Sequence, residues 1–270
     1  MTRFDWGPLL QGGPLFVGIL NLTPDSFSDG GCFLEPAAAL AQAQHLASAG
    51  ARMLDLGAES TRPGAEPLEA GAEWARLAPV IRLLRQELPA VPLSVDTRHA
   101  TVAERALGAG VAVLNDVTGF STPAMLALAQ GRDCGLIAMR SRAAGDGFLM
   151  PPYGGTGEPT ADRALAELAW VRDRLLAARI CPDRVLLDPG FGFGTTFTED
   201  QALWQSLPGL PGHLGWPVDR FCIGISRKRF LAWRAGQPAL APSGRDGLTA
   251  AAHAEAAARG YKVFRTHAIG

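Results

Sequence analysis

Polar side chains stand at the ends of short apolar runs throughout this chain of 270 residues. In chain order the eight ends carry Asn21, Glu59 to Arg62, Asp96, Asn115, Met139, Asp188, Ser226 to Lys228, and Arg265 to His267. A polar residue commonly does no more than end a strand, so each position by itself is a weak signal. Hydrogen-bonding or soft groups at eight consecutive ends predict one shared site, because the carboxyl ends of parallel strands converge on one face.

One set of these residues has the chemistry to bind a flat, nitrogen-rich heterocycle. The set is Asp96, Asn115, Asp188 and Lys228. A carboxylate accepts paired N–H donors from an amino-pyrimidine edge, whereas an asparagine amide both donates and accepts. The mixture of acceptors and donors therefore predicts recognition of a ring that presents both.

A second set has the chemistry to bind phosphate oxygens. The set is Asn21, Arg62, Arg265 and His267. Guanidinium groups offer forked pairs of N–H donors, and the end of the last strand is where barrels often hold phosphate. Since the formal net charge is only −1, with 25 basic and 26 acidic residues, we expect this anion site to be local.

The elements that must position these residues alternate along the chain. The apolar runs predict strands over residues 16–20, 53–57, 93–96, 111–115, 135–139, 185–188, 221–226 and 262–267. Stretches of helical period predict helices over residues 35–49, 69–88, 101–109, 123–130, 160–179, 198–207 and 248–259. Alternation implies parallel pairing with right-handed crossovers. Eight units in about 250 residues favour a single (β/α)8 TIM barrel over a doubly wound open sheet.

We divide the chain into an extension over residues 1–14 and one barrel domain over residues 15–270. The sequence stops directly after the predicted eighth strand, so we expect the eighth helix to be missing. The loops over residues 23–31 and 60–65 combine polar side chains with Gly or Pro, which is typical of lids that exclude water from a barrel mouth.

The composition indicates a soluble protein with a sizeable core, because 47% of the residues are hydrophobic and 19% are charged. The balanced charge gives no reason to expect nucleic acid or a membrane surface as a partner. No uncharged apolar run reaches the length of about 18 residues that a membrane span needs. The four cysteines are scattered and form no CxxC pair. We therefore expect reduced thiols and a cytoplasmic location.

Longer motifs in the chain resemble those of the dihydropteroate synthase family. They cover residues 18–31, 59–64, 94–97, 115–116, 188–194 and 226–228. The resemblance extends from about residue 15 to residue 267, with the same order and spacing. It implies a barrel enzyme of folate biosynthesis that condenses 6-hydroxymethyl-7,8-dihydropterin pyrophosphate with p-aminobenzoate to give 7,8-dihydropteroate and pyrophosphate. It also implies a homodimer, provided that the C-terminal helix exists, and a sulfonamide target.

The resemblance assigns a role to each matching position. The pterin positions are Asp96, Asn115, Met139, Asp188, Phe193, Gly224 and Lys228. The pyrophosphate positions are Asn21, Arg62, Arg265 and His267, and Asn21 is also the position expected near Mg²⁺. The p-aminobenzoate positions are Phe27, Thr61, Arg62, Pro63 and Ser226. The resemblance gives catalytic roles to Asp96, Lys228 and Arg62, with Asp96 stabilising a pterin methylene cation.

Three residues depart from the family pattern. Arg140 follows Met139 where a stretch with histidine is usual, and Thr195 follows the glycine-rich motif where lysine is usual. We expect Arg140 and Thr195 to lie at the rim of the pocket. Ala268 stands where aspartate is usual, which together with the end of the chain puts the eighth helix and the dimer surface in doubt.

Two other functions share part of this pattern. A methyltetrahydrofolate methyltransferase would use the same Asp/Asn/Asp set, but it would not need the Ser-Thr-Arg-Pro loop or the Arg-x-His pair. A pterin-binding protein without turnover would keep the pocket and lose activity through the three departures.

Overall fold

A computed structural model describes residues 4–23, 36–59, 66–140 and 161–269, and the backbone of residues 143–144 and 147–148. Eight strands in this part of the chain form one parallel sheet. They are β1 (Leu15–Asn21), β2 (Ala51–Gly57), β3 (Leu93–Asp96), β4 (Val113–Asp116), β5 (Gly135–Met139), β8 (Val185–Asp188), β9 (Cys222–Ile223) and β10 (Val263–Thr266). A separate antiparallel pair, β6 (Ala143–Ala144) and β7 (Gly147–Phe148), lies between β5 and β8 in the chain.

The sheet closes into a barrel. The strand order is β8-β5-β4-β3-β2-β1-β10-β9, and a parallel bridge between Leu187 and Phe221 joins the two outermost strands. All eight predicted strands are found, and the TIM-barrel prediction is confirmed. Closure matters for function because it turns eight strand ends toward one mouth.

Helices follow the strands as the alternation predicts. In the described residues they are α1 (Gly7–Leu10), α2 (Pro36–Ser48), α3 (Ala70–Glu87), α4 (Ala100–Gly108), α5 (Pro123–Gly131), α6 (Asp162–Ala177), α7 (Phe197–Ser206), α8 (Leu210–Leu214), α9 (Arg229–Arg234) and α10 (Asp246–Ala257). The short helices α1, α8 and α9 were not predicted, because four to six residues are too few to show a helical period. Within the described residues, no helix has both the length and the apolar composition needed to cross a membrane.

Side chains of alternate residues fill the inside of the barrel in layers. One apolar layer consists of Val17, Met53, Val113, Ile137, Leu186, Cys222 and Val263, which form one buried cluster. Because side chains on a strand alternate between faces, the residue two positions further along each strand points the same way. Those positions hold Ile19, Asp55, Asn115, Met139, Asp188, Gly224 and Arg265. The barrel interior thus changes from apolar to polar within one layer.

The amino-terminal segment closes the opposite end of the barrel. Trp6 is completely buried in the same apolar cluster, and its Nε1 donates to the carbonyl oxygen of Arg184 at 2.8 Å. Leu10, at the end of α1, is buried beside it. The predicted extension therefore supplies part of the barrel core, which leaves the carboxyl end of the strands as the accessible mouth.

His253 is a buried histidine on the face of α10 that packs against the barrel. Its ring lies 4.8 Å from the ring of Phe264 and 6.2 Å from that of Phe16, measured between centroids. Among the described residues, its Nε2 has no hydrogen-bond partner. Burial lowers the pKa of His253 to about 4, so the folded protein holds this imidazole neutral.

We predict that His253 makes the protein sensitive to mild acid. Between pH 6.5 and 4 the unfolded chain binds a proton at this site and the folded chain does not, so the free energy of unfolding falls as pH falls. Between pH 7.5 and pH 5, we expect the free energy of unfolding to fall by about 2 kcal/mol less in His253→Leu than in the unaltered protein. Urea unfolding at both pH values measures it, with the exposed His45→Gln as control. An unchanged pH dependence in His253→Leu would contradict the prediction.

Candidate active site

The centre of the polar layer is a guanidinium shared by two carboxylates. Arg265 on β10 donates from Nε to Asp55 Oδ2 at 2.6 Å and from Nη2 to Asp96 Oδ2 at 2.8 Å. Asp55 Oδ2 also accepts from Asn115 Nδ2 at 2.9 Å. Strands β2, β3, β4 and β10 therefore meet at one cluster, and no described residue accepts a hydrogen bond from Nη1 of Arg265.

Sequence reasoning missed Asp55, although a signal was present. Asp55 is the only charged residue in the otherwise apolar strand Met53 to Gly57, and its side chain is completely buried. Its Oδ1 has no hydrogen-bond partner among the described residues. A buried charge is costly unless it is paired, so a carboxylate inside an apolar strand predicts a cation opposite it.

The shared cation leaves one negative charge in excess, which affects Asp96 most. Burial, opposed by Arg265 and reinforced by Asp55, raises the pKa of Asp96 to about 7. Burial also disfavours the charge on Arg265, but Asp55 and Asp96 outweigh it and raise the pKa of the guanidinium. Asp96 is therefore poised to respond to a ligand that brings N–H donors or positive charge.

Asp188 stands at the end of β8, next to Met139 across the sheet. Its Oδ1 accepts from the backbone N–H of Gly190 at 2.7 Å, and burial raises its pKa. A Cβ at Gly224 would lie 2.9 Å from Asp188 Oδ2. Glycine at that position thus keeps space for the carboxylate inside the barrel.

Lys228 and Phe193 form the adjoining wall of the site. The Nζ of Lys228 lies 4.0 Å from the centre of the Phe193 ring, a cation–π distance. Burial lowers the pKa of Lys228 to about 8, while Asp188 opposes the shift. Together with Asp96, Asn115, Met139, Asp188 and Gly224, Lys228 and Phe193 bring all seven predicted pterin positions to the same mouth.

A second cluster surrounds His267. Its Nδ1 lies 3.0 Å from Ser226 Oγ, which also accepts from the backbone N–H of His267 at 3.1 Å. The amide nitrogen of Asn21 lies 3.4 Å from Nε2. Burial lowers the pKa of His267 to about 3, and the nearby Arg265 adds to the shift. The imidazole is therefore a neutral hydrogen-bonding group.

The structure joins groups that the sequence had assigned separately. Arg265, predicted for pyrophosphate, contacts Asp96 of the pterin set. Ser226, predicted for p-aminobenzoate, contacts His267 of the pyrophosphate set. Residue types indicate which ligand atoms a side chain suits, but they do not show how far the side chain reaches.

A clamped turn directs Ser226 and Lys228 to different clusters. Arg227 between them has a left-handed φ of +57°. Its guanidinium pairs with Asp246 at 2.6 and 2.8 Å, and its backbone N–H donates to Thr249 Oγ1 at 3.1 Å. The start of α10 thus holds the turn in a conformation that is strained for a residue other than glycine.

The expectation that Arg140 and Thr195 lie at the pocket rim is wrong. Their side chains are only 3% and 2% exposed. Both lie beneath the glycine-rich loop that follows β8, where backbone carbonyl oxygens and the carboxylate of Asp200 bind them. Position after a strand end does not distinguish a side chain that faces the mouth from one that turns under a loop.

Four predicted residues, Phe27, Thr61, Arg62 and Pro63, lie outside the described residues. The described flanks of the 60–65 segment are held together by Glu59. Its carboxylate accepts from Arg98 at 2.8 and 2.9 Å and from the backbone N–H of Leu68 at 2.9 Å. Arg98 directly follows the Ser94–Thr97 motif, so two of the sequence motifs are linked by this ion pair.

The described residues contain no group of three or more His, Cys, Asp or Glu side chains that could hold a metal ion. The donor set at the second cluster offers one amide oxygen, from Asn21. Mg²⁺ prefers oxygen ligands and often keeps several waters while binding substrate phosphates. Asn21 therefore fits a Mg²⁺ that arrives with a phosphorylated ligand, rather than a dedicated protein site.

These features define an α/β barrel of the enzyme type, whose mouth has an acidic face with the chemistry to suit a nitrogen-rich heterocycle and a neighbouring neutral cluster. The family model for pterin binding enzymes matches residues 17–267 of the chain. The dihydropteroate synthase of Neisseria meningitidis serogroup C is 38% identical over 260 residues, which are 95% of this chain and 88% of that protein.

Solved structures of Xanthomonas albilineans dihydropteroate synthase are similar over 96% of this chain and 89% of theirs. The structure with 4-aminobenzoic acid has a TM-score of 0.80 at 37% identity. The complex with 7,8-dihydropteroate has a TM-score of 0.76 at 34% identity. The chain therefore belongs to the pterin-binding enzymes and, among them, to the dihydropteroate synthase family.

The coupling between Asp55 and Asp96 gives a testable titration. We expect the Asp96 carboxyl, followed by ¹³C NMR of the ligand-free protein, to titrate near pH 7. Asp55→Asn removes a negative charge that raises this pKa, so the midpoint should move to lower pH. Asp188 is the internal control, because its raised pKa is due to burial and not to Asp55. A midpoint of Asp96 that stays the same in Asp55→Asn would refute the coupling.

Proposed function

We propose that the chain condenses 6-hydroxymethyl-7,8-dihydropterin pyrophosphate with p-aminobenzoate, giving 7,8-dihydropteroate and pyrophosphate. The observation that carries this proposal is the polar layer of the barrel, in which the buried Asp55 and the partly buried Asp96 share one arginine, next to an asparagine, a lysine and a third acid. Such a layer matches the alternating donors and acceptors of a pterin. The membership of the chain in the dihydropteroate synthase family supports the same reaction.

Asp96, Asn115 and Asp188 would bind the ring nitrogens and the amino group of the pterin, while Lys228 would donate to a ring acceptor. As a carboxylate, Asp96 would also stabilise positive charge that spreads into the ring when the leaving group departs. Because burial and Asp55 oppose ionisation of Asp96, positive charge that develops on the bound ring would favour the charged form. The stabilisation is therefore largest when the charge develops.

Breakage of the bond between the pterin methylene carbon and the pyrophosphate oxygen needs donors for the departing anion. Nη1 of Arg265 has no acceptor among the described residues, and His267 offers a neutral imidazole beside Asn21. We assign Asn21 as a ligand of Mg²⁺. When bound, Mg²⁺ would offset the charge of the pyrophosphate. Arg62, outside the described residues, would contribute a further donor.

The arylamine nitrogen of p-aminobenzoate would then form the new bond to the methylene carbon and release a proton to solvent. An arylamine is a weak base and is largely unprotonated at pH 7, so it needs little activation. Ser226, at the edge of the second cluster beside His267, would contact this substrate. Phe27, Thr61 and Pro63 would complete that subsite.

We also infer a cytoplasmic homodimer and a target for sulfonamide-like competitors of p-aminobenzoate. The mass of the chain in solution tests the dimer. Competition against p-aminobenzoate in the condensation assay tests the inhibitors.

Pyrophosphate release tests the reaction itself. We expect release from the pterin pyrophosphate in the presence of Mg²⁺ to depend on p-aminobenzoate. Tight pterin binding without release would instead indicate a binding protein, and methyl transfer from methyltetrahydrofolate would indicate the methyltransferase. Either result would overturn the proposed function.

Asp96→Asn tests the charge-stabilising role. The amide keeps the shape of the side chain but not its charge, so we expect kcat to fall by roughly 100-fold or more while the protein still folds. Circular dichroism and thermal unfolding monitor the fold. A kcat close to that of the unaltered protein would exclude this role for Asp96.

Arg265→Lys tests the link between the two clusters. Lysine retains the positive charge between Asp55 and Asp96 but loses the fork and its third nitrogen. We expect affinity for the pterin pyrophosphate to fall roughly tenfold, and affinity for bare 6-hydroxymethylpterin to fall much less. Calorimetric titration with each ligand measures both, and equal losses would contradict a role toward the leaving group.

A further inference from the structure

Arg140 is a buried arginine whose donors are directed at the backbone of the glycine-rich loop. It follows β5 directly, and its own backbone N–H donates to the carbonyl oxygen of Asp188 at 2.9 Å. Its Nε donates to the carbonyl oxygen of Pro189 at 2.6 Å, and Nη2 donates to those of Gly190 and Phe193 at 3.1 and 2.8 Å. The guanidinium thus holds both halves of the loop.

The remaining nitrogen of Arg140 pairs with an acid on a helix. Nη1 donates to Glu167 Oε2 of α6 at 2.6 Å, and the two side chains are only 2% and 9% exposed. A buried ion pair contributes little net stability compared with apolar side chains of the same volume. The main effect of the pair is therefore to orient the guanidinium of Arg140, whose donors hold the backbone of the loop.

The donors of Arg140 hold the part of the loop that forms one wall of the predicted pterin pocket. The loop begins with Asp188 and carries Phe193, the ring against which Lys228 lies. Gly190 has a φ of +67°, and a Cβ there would lie 3.0 Å from Arg140 Cγ. The close approach of loop and arginine thus requires glycine at this position.

A separate set of bonds holds the outer part of the loop. Asp200 Oδ1 accepts from the backbone N–H of Gly192 at 3.0 Å and from Thr195 Oγ1 at 2.7 Å. Arg163 donates to the carbonyl oxygen of Gly194 at 3.0 Å. Arg140 and Thr195, both departures from the family pattern, therefore support the same loop through separate sets of hydrogen bonds.

We propose that Arg140, anchored by Glu167, is a positioning residue for the pterin subsite, acting through three carbonyl oxygens of the 188–194 loop. It touches no reacting atom. It sets the spacing between Asp188, which is the first residue of the loop, and the ring of Phe193, against which Lys228 lies. The inference rests on the proposed function only in taking the bound heterocycle to be a pterin.

This role predicts a specific pattern of effects. Loss of the fork should weaken binding of the heterocycle and leave the second cluster around His267 intact. The KM for the pterin substrate should rise, whereas the KM for p-aminobenzoate should change little. A merely structural arginine would lower stability without selecting one substrate.

Arg184 provides a matched control at the opposite end of the barrel. It is also buried, and its guanidinium also donates to three backbone carbonyl oxygens, those of Ala129, Arg132 and Cys134. Lysine at either position keeps the charge and loses the fork. We expect Arg140→Lys and Arg184→Lys to lower the melting temperature by comparable amounts.

Only Arg140→Lys should weaken binding of bare 6-hydroxymethylpterin, by roughly tenfold or more in fluorescence titration. Glu167→Gln keeps an acceptor for Nη1, so its binding should stay within about threefold of the unaltered protein. Unchanged pterin affinity in Arg140→Lys, or an equal loss in Arg184→Lys, would overturn the proposal. Because the probe is bare pterin, failure of turnover in the unaltered protein would refute the proposed function without affecting this result.

Gly190→Ala tests the same contact from the loop side, should Arg140→Lys not fold. The added methyl would lie 3.0 Å from Cγ of Arg140 and 3.1 Å from Cγ of Met139, so it would push the loop away from both side chains, and we expect pterin affinity to fall. Gly236→Ala is its control, because Gly236 has a similar φ of +70° and no atom within 4 Å of an added Cβ. Equal pterin affinity of the two alanine variants would count against the positioning role.

Discussion

The guanidinium of Arg265 between Asp55 and Asp96 is the interaction on which the rest of the site depends. Two acids inside a barrel cannot both remain ionised without a cation, and removal of one member of a buried pair typically costs about 3–5 kcal/mol. Asn115 also donates a hydrogen bond to Oδ2 of Asp55, the oxygen that accepts from Arg265. One arginine therefore fixes the ends of four strands and sets the charge available to Asp96.

The barrel excludes water from the amino-terminal side of this charged cluster and leaves its carboxyl-terminal side open to solvent. Two residues below Asp55, Asn115, Asp188 and Arg265 the strands carry apolar side chains such as Met53 and Val113, and Trp6 fills the end of that layer. Solvent and ligands then enter from the carboxyl ends of the strands alone. A low dielectric below and an open mouth above explain why Asp96 and Lys228 have shifted pKa values in the same small space.

The eight strands and most of the candidate site could be predicted because both depend on local pattern. Strand ends such as Asp96 and Asp188 are visible in the sequence as polar residues after apolar runs. Asp55 was missed because it lies inside a run, where only its partner across the barrel explains it. Arg140 was misplaced because burial beneath a loop depends on how the chain returns after β8, which no local pattern records.

The junction of the two clusters has a chemical consequence for the proposed reaction. Arg265 donates to Asp96 Oδ2, so a pterin that engages this oxygen would compete with the guanidinium for it. The guanidinium would remain anchored to Asp55 through Nε, and its terminal nitrogens would become available to an anion. Binding of the ring would then prepare the donor that the leaving group needs. Arg265 can couple pterin binding to departure of the leaving group because its Nε is held by Asp55 while its Nη2 can pass from Asp96 to an anion.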